Sequence, residues 1–356
     1  MVNIGIKKQL IFLDRNENNY GPAPACKKVL RRRSNGFLNI YSRDFTRGVK
    51  SVLSERLSQD TGIPESRILL GYGSEDILKQ VVQCYLKDGG KILIPSYSWW
   101  YYKKIAAEAS GVNIEYPIIE IEKENRFEYD IDILLKTYRE KKPAIILLSS
   151  PNNPTGNRLE IKQLKLILDN TPDCTVILDE AYSKFDPGFN VNAAEFVEKY
   201  PQLIIIRTFS KYYALAGLRI GYALIGARHE HLQLLSTRYL GFNRLSEQIA
   251  IAALNSSDYY RKIQRKMVQD REMLYNEFNA LPGFKAYVSY ANFILVRIPA
   301  EIKESLQKYL TDRDIIIKFM NEDNLNSHVR ITIGTTSQNR KLINAVRNFM
   351  NERSRS

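Results

Sequence analysis

The sequence predicts an α/β fold: a mostly parallel sheet between layers of helices, joined to a smaller α+β unit. Three observations predict it. Through the first two thirds of the chain, short apolar runs such as "AIILL", "TVIL" and "LIII" alternate with segments of helical spacing, which is the pattern of a parallel sheet covered on both faces. Beyond about Gly241 the rhythm changes to one long helical stretch followed by shorter, spaced strands. Finally, three successive apolar runs end in polar side chains, in "ILLSSPNN", "TVILDEAY" and "LIIIRTFSK". Ligands of open parallel sheets bind outside the carboxyl ends of the strands, so three such endings describe one site.

Taken in order, "VKSVLSERL" has helical spacing, "RILL" is strand-like, and Ile77, Leu78, Val81, Val82 and Tyr85 form one helix face. "KILI", a helix from about Trp99 to Ala109, "AIILL", the helix "IKQLKLIL", "TVIL", "LIII" and "RIGYALI" follow. A helix is expected from Asp258 to Ala280, then the strands "NFILVRI", "DIIIKF" and "VRITIG" with helical segments between them and at the end.

With 356 residues the chain is long enough for one large domain and a smaller one. No stretch approaches the roughly 20 apolar residues that span a bilayer, and "MVNIGIKKQL" has no apolar signal region. Cys26, Cys84 and Cys174 lack metal-ligand spacing, so reduced thiols in a cytoplasmic protein and no metal are expected. His229, His231 and His328 fall outside the motifs and receive no catalytic role. The net charge of +13 is scattered among acids, apart from Arg31 to Arg33. It reads as a basic surface that attracts anionic small molecules rather than as a nucleic-acid interface.

Lys211 carries the chemistry. It lies in "RTFSKYYALAGLR", just past a strand, with Thr208 and Ser210 before it and Arg219 after it. Such a lysine can form a Schiff base to an aldehyde while its neighbours hold a phosphate, which is the arrangement of a pyridoxal-phosphate lysine. Gly73 and Ser74 open the helix of "GSEDILKQVV", whose first N–H groups favour an anion. Gly71 and Gly73 do not make a dinucleotide fingerprint, because Asp76 stands where its third glycine belongs.

The ordered segments "LDRNENNYGPAP", "GYGSEDIL", "PSYSWWYY", "SPNNPTG", "LDEAY", "TFSKYYALAGLR" and "VRITIG" resemble the fold-type I pyridoxal-phosphate-dependent transferases. Within them they resemble the class I and II aminotransferases, and most of all the histidinol-phosphate aminotransferase branch. The resemblance implies a seven-stranded sheet in a large cofactor domain (41–240), a small C-terminal domain (241–356) and an arm (1–40) packed with the latter. It also implies a homodimer that exchanges an amino group between an amino acid or amino-alcohol phosphate and 2-oxoglutarate.

It further implies a role for each matching residue. Lys211 holds the cofactor and then moves the proton, and Asp179 keeps the pyridine nitrogen protonated. A carboxylate at about 3 Å and an effective dielectric near 20 attracts that charge by roughly 5 kcal/mol before desolvation. Asn153 and Tyr182 donate to the cofactor's phenolic oxygen; Asn152 is the neighbouring alternative to Asn153. Tyr97 stacks on the ring, with Trp100 three residues on as the alternative, while Trp99, Tyr101 and Tyr102 read as core or pocket wall. Gly73, Ser74, Thr208, Ser210 and Arg219 hold the phosphate, and Tyr41 reaches the phosphate of a neighbouring subunit. Arg330 binds the substrate carboxylate or phosphate. Two departures concern the substrate: Lys318 stands where the branch has a second phosphate-gripping arginine, and "NENNYG" departs from the usual form around Asn18 and Tyr20, where substrate is expected to pass. A threonine-phosphate decarboxylase and an aromatic aminotransferase are the rival readings.

Overall fold

The computed structural model describes residues 10–31, 39–87, 89–188, 191–236 and 241–354. The first nine residues of the arm, and Arg32 and Arg33 of the basic run, lie outside the described residues.

The large sheet has seven strands in the order Ile68–Gly71, Gly221–Ile225, Leu203–Thr208, Thr175–Asp179, Ile145–Ser149, Lys91–Pro95 and Val112–Tyr116. From Leu203–Thr208 outward to Val112–Tyr116 every pairing is parallel. Gly221–Ile225 runs antiparallel to both neighbours. The sequence gives no sign of this reversal, because residues 209–220 are just long enough for the crossover a parallel strand needs. The strand Val112–Tyr116 and the hairpin Ile118–Ile121/Arg126–Tyr129 also escape the periodicity reading. The edge strand "VNIEY" is short and alternates apolar with polar residues, so it carries no continuous apolar run.

Both faces of this sheet are dry, as near-continuous apolar runs require. Ile146, Leu148, Val176, Leu178, Leu203 and Ile205 face one layer. Ile145, Leu147, Ile177, Ile204 and Ile206 face the other, against Ile77, Leu78, Val81 and Val82 of the helix Ser74–Tyr85. Each such side chain contributes about 1.5–3 kcal/mol by burial, which fixes the register of the strands and therefore the position of their polar ends.

The second sheet has the order Ile11–Leu13, Ile315–Phe319, His328–Thr332, Phe293–Arg297 and Lys285–Ala286. The arm enters it as a strand parallel to Ile315–Ile317. The helices Pro24–Arg31 and Arg244–Leu254 instead share the core of the large sheet through Ala23, Cys26, Ile249, Ala250 and Ala253. We therefore propose that the small domain begins within the long helix Ser257–Asn279 rather than at 241, and that the arm changes allegiance between Leu13 and Ala23. No helix among the described residues is long and apolar enough to cross a membrane.

Candidate active site

The strands ending at Ser149, Asp179 and Thr208 are adjacent and parallel, so their carboxyl ends open on one edge of the sheet. Asp179 is the buried end of this site, 7% exposed. Its Oδ2 accepts from the Tyr102 hydroxyl at 2.8 Å and its Oδ1 from the Ala181 amide at 2.9 Å. Burial pushes its carboxyl upward, against the opposing pull of those two donors.

Lys211 leaves the loop after Thr208 and donates from Nζ to the Arg15 carbonyl at 2.9 Å. Its ammonium lies 5.8 Å from the centre of the Tyr182 ring. The Tyr182 hydroxyl accepts from Asn16 Nδ2 at 3.0 Å. Arg330 reaches across from the small sheet, donating from Nη1 to Asn153 Oδ1 and from Nη2 to the Asp14 carbonyl, both at 2.6 Å. Asn153, Tyr182, Lys211 and Arg330 are thus brought together by one short stretch of the arm.

That stretch, Asp14 to Asn16, is the part of the site that sequence reasoning missed. Asn16 has φ 56, and it is fixed by its amide donating to Thr332 Oγ1 at 2.9 Å and by Asn292 Nδ2 donating to its carbonyl at 3.0 Å. An asparagine tolerates this left-handed conformation better than most residues. The available signal was an asparagine just past the strand Ile11–Leu13, but two of the groups that matter are backbone carbonyls.

The other end of the site is polar and partly exposed. Gly73, at φ +90, precedes the helix Ser74–Tyr85, and a Cβ there would meet the Arg219 guanidinium at 2.7 Å. Arg219 Nη1 lies 3.5 Å from Ser210 Oγ and its Nη2 3.7 Å from Glu75 Oε2. The Ser210 amide donates to Thr208 Oγ1 at 3.1 Å. A Cβ on Gly221 would come within 2.3 Å of the Ser74 amide nitrogen, so the reversed strand can pass the helix start only with glycine there. Gly73, Ser74, Thr208, Ser210 and Arg219 therefore form one cluster, with helix N–H groups, hydroxyls and a guanidinium suited to a dianion.

The sequence alternatives separate on geometry. Asn152 is buried and donates to the Tyr97 carbonyl at 2.5 Å and to Thr155 Oγ1 at 2.6 Å, so its amide braces the loop. Trp100 is 56% exposed beside Lys104, whereas Tyr97 is half-buried with its ring edge-on to Phe127 at 5.8 Å. Lys318 is the register partner of Arg330 on the neighbouring strand, and so lies on the same face of the small sheet. Tyr41 is 69% exposed.

Asn18 and Tyr20, expected on the path of the substrate, are engaged elsewhere. Asn18 Nδ2 donates to the Tyr212 carbonyl at 2.9 Å, and its Oδ1 accepts from the Tyr20 amide at 3.1 Å. The Tyr20 hydroxyl donates to Asp270 Oδ2 at 3.3 Å, on the long helix. Both side chains pin the arm where it crosses between the two cores. Tyr102, expected as core or wall, is instead the hydroxyl donor to Asp179.

Residues 8–346 match the family described as aminotransferase class I and II. The histidinol-phosphate aminotransferase of Acinetobacter baylyi is 31% identical over 353 residues, 97% of this chain and 92% of that protein. Among solved structures, a histidinol-phosphate aminotransferase from Sinorhizobium meliloti in complex with pyridoxal-5'-phosphate superposes with TM-score 0.84 at 23% identity, covering 96% of this chain and 92% of that one. The L-threonine-O-3-phosphate decarboxylase of Porphyromonas gingivalis gives 0.78 at 22% identity, covering 96% and 100%. At these identities the two structures speak for the fold, an α/β architecture with a mostly parallel sheet between helices. The family match over nearly the whole length speaks for more: this chain belongs to the class I and II aminotransferases.

Proposed function

We propose that the chain is a pyridoxal-phosphate-dependent aminotransferase that exchanges an amino group between histidinol phosphate, or a similar amino-alcohol phosphate or amino acid, and 2-oxoglutarate. The observation that carries this reading is the placement of an amine, Lys211, and a buried carboxylate, Asp179, between two fixed guanidiniums, Arg219 and Arg330. The residues fit the cofactor on two counts. Asp179 lies in a dry site with a neutral donor on each carboxyl oxygen, which suits a cationic ring nitrogen. Gly73 leaves open a cradle that a Cβ would fill, beside Arg219 and the start of a helix.

When bound, the cofactor supplies an electron sink for the carbon that carries the amino group. The chain's own groups do the rest. Lys211 Nζ would anchor the cofactor, and the same amine would carry the proton to and from the substrate carbon. Asp179 keeps the ring nitrogen protonated, and Asn153 and Tyr182 orient the phenolic oxygen. Thr208, Ser210, Arg219 and the helix start at Gly73 and Ser74 hold the phosphate, while Tyr97 covers one face of the ring and excludes water there. Arg330 offers a planar fork to a carboxylate or phosphate, with Lys318 beside it as a second, point-like charge. The exposure of Tyr41 supports a homodimer in which it reaches the partner's phosphate site. The unpaired Cys26, Cys84 and Cys174 suit a cytoplasmic setting.

The test is a substrate screen of the protein supplied with pyridoxal phosphate and 2-oxoglutarate. Glutamate formation from histidinol phosphate is expected. Turnover of aromatic amino acids alone would replace the donor, and carbon dioxide release from threonine phosphate without glutamate would replace the reaction. In Lys211→Ala, turnover and borohydride-fixed cofactor should both vanish; normal turnover would overturn the assignment.

A further inference from the structure

We infer that Tyr102 is a positioning residue of this aminotransferase: its hydroxyl orients the Asp179 carboxylate and holds it in the ionised form that a protonated ring nitrogen requires. This rests on the reading of Asp179 given above. The phenol carries one proton and has two acceptors in reach, Asp179 Oδ2 at 2.8 Å and Ser149 Oγ at 3.4 Å. The shorter contact, to the charged acceptor, takes the proton. With the Ala181 amide on Oδ1, each carboxylate oxygen is tied by one donor, so the carboxylate cannot rotate.

Tyr102 can do this because of where it sits. It lies in the first turn of the helix Tyr101–Glu108, is 3% exposed, and is wedged edge-on against Trp99 at 5.5 Å. The helix brings the hydroxyl to the strand ends where Ser149 is the register partner of Asp179, within reach of both side chains. The charged and titratable groups around the pair are Glu180, Lys211, Tyr129 and Tyr182. Tyr129 is committed to the Ser149 carbonyl and Glu180 to Arg207, so neither can stand in as a donor to Asp179.

The consequence is a direction for a proton. Burial alone would make Asp179 a strong base, one that takes a proton for itself near neutral pH or draws it off the ring nitrogen. A donated hydrogen bond lowers that basicity and leaves the shared proton on nitrogen. Hydrogen bonds to charged groups support a change of about 10–100-fold in proton affinity, or about one to two pH units.

The experiment compares the wild-type protein with Tyr102→Phe, which keeps the ring and its packing. Infrared difference titration of the cofactor-free proteins follows the protonated carboxyl band, assigned to Asp179 by its loss in Asp179→Asn. The band should appear at a pH one to two units higher in Tyr102→Phe, and pyridoxal phosphate affinity should fall off on the acid side by the same displacement. Coincident titration midpoints would overturn the inference, even if turnover were reduced, because a purely structural tyrosine would leave them together. Borohydride fixation of the cofactor at Lys211 in both proteins separates the two claims. If fixation fails in the wild type, the reading of the site falls, while the titration still decides whether Tyr102 governs Asp179. Should Tyr102→Phe unfold, Ser149→Ala, which removes the competing acceptor, is expected to leave the midpoint unchanged or lower it, and a rise would count against the assignment.

Discussion

The two ends of the candidate site are built from opposite materials. At one end a single carboxylate, Asp179, is buried and held by two neutral donors. At the other, the Arg219 side chain is 48% exposed, shares its charge with Glu75 at 3.7 Å, and is joined by hydroxyls and a helix start. At the buried end a charge acts at low effective dielectric and has no substitute, so one atom decides the outcome. At the exposed end charge is screened by water and salt and spread over several weak donors, so no single group decides it.

The largest effect should follow from Asp179→Asn, which keeps the shape and removes the charge. The gross attraction of roughly 5 kcal/mol, less desolvation, corresponds to a fall in kcat on the order of 10²–10³-fold. Thermal unfolding supplies the contrast. Because burial raises the Asp179 carboxyl in the folded state, ionising it costs stability at neutral pH, and that cost grows as pH rises through the folded value. The asparagine variant should therefore unfold no earlier than the parent at pH 7. A loss of stability in step with the loss of activity would mean that Asp179 is a structural residue.

Arg330 lies between the two extremes, as a cation with a dry environment. Burial pushes its guanidinium downward, and one N–H on each terminal nitrogen is given to Asn153 and the Asp14 carbonyl, leaving the second N–H of each for a substrate. Arg330→Lys keeps the charge but cannot make both bonds at once. We expect kcat/KM for 2-oxoglutarate to drop about 10–100-fold, mostly in KM, as measured by steady-state kinetics. A change in kcat alone would show that Arg330 acts through Asn153 on the cofactor rather than on the substrate.

The same contrast explains what could be read from the sequence. Asp179 and Lys211 were legible because each follows an apolar run that ends abruptly, and the parallel sheet forces those ends to one edge. Arg219 and Gly73 were legible as a residue-type pattern around a helix start. Asp14 and Arg15 were not, since their contribution is a carbonyl that every residue possesses. Tyr102 was hidden in "YSWWYY", where periodicity cannot say which ring turns toward the sheet. Asn18 and Tyr20 show a second use of polar residues near a site, pinning a chain that crosses between cores, which residue type alone does not announce.

The smallest effect, and the most specific, should come from Arg219→Gln. Removing one partly solvated charge from a cluster that keeps Thr208, Ser210 and the helix start should weaken cofactor affinity by about 10-fold. Its salt dependence is the sharper readout. Attraction between a phosphate dianion and an exposed guanidinium is screened as the Debye length shortens from about 10 Å at 0.1 M salt to 3 Å at 1 M. Asp179 is enclosed by protein and is screened far less. Cofactor affinity of the parent should therefore fall with salt through the Arg219 end, and Arg219→Gln should lose most of that dependence. Asp179→Asn should retain the parent's salt slope at a weaker overall affinity. Equilibrium titration of the three proteins with pyridoxal phosphate across a salt series checks this. Equal slopes in the parent and Arg219→Gln would place the phosphate's positive partner elsewhere, and a slope lost in Asp179→Asn would mean that the buried end is open to solvent.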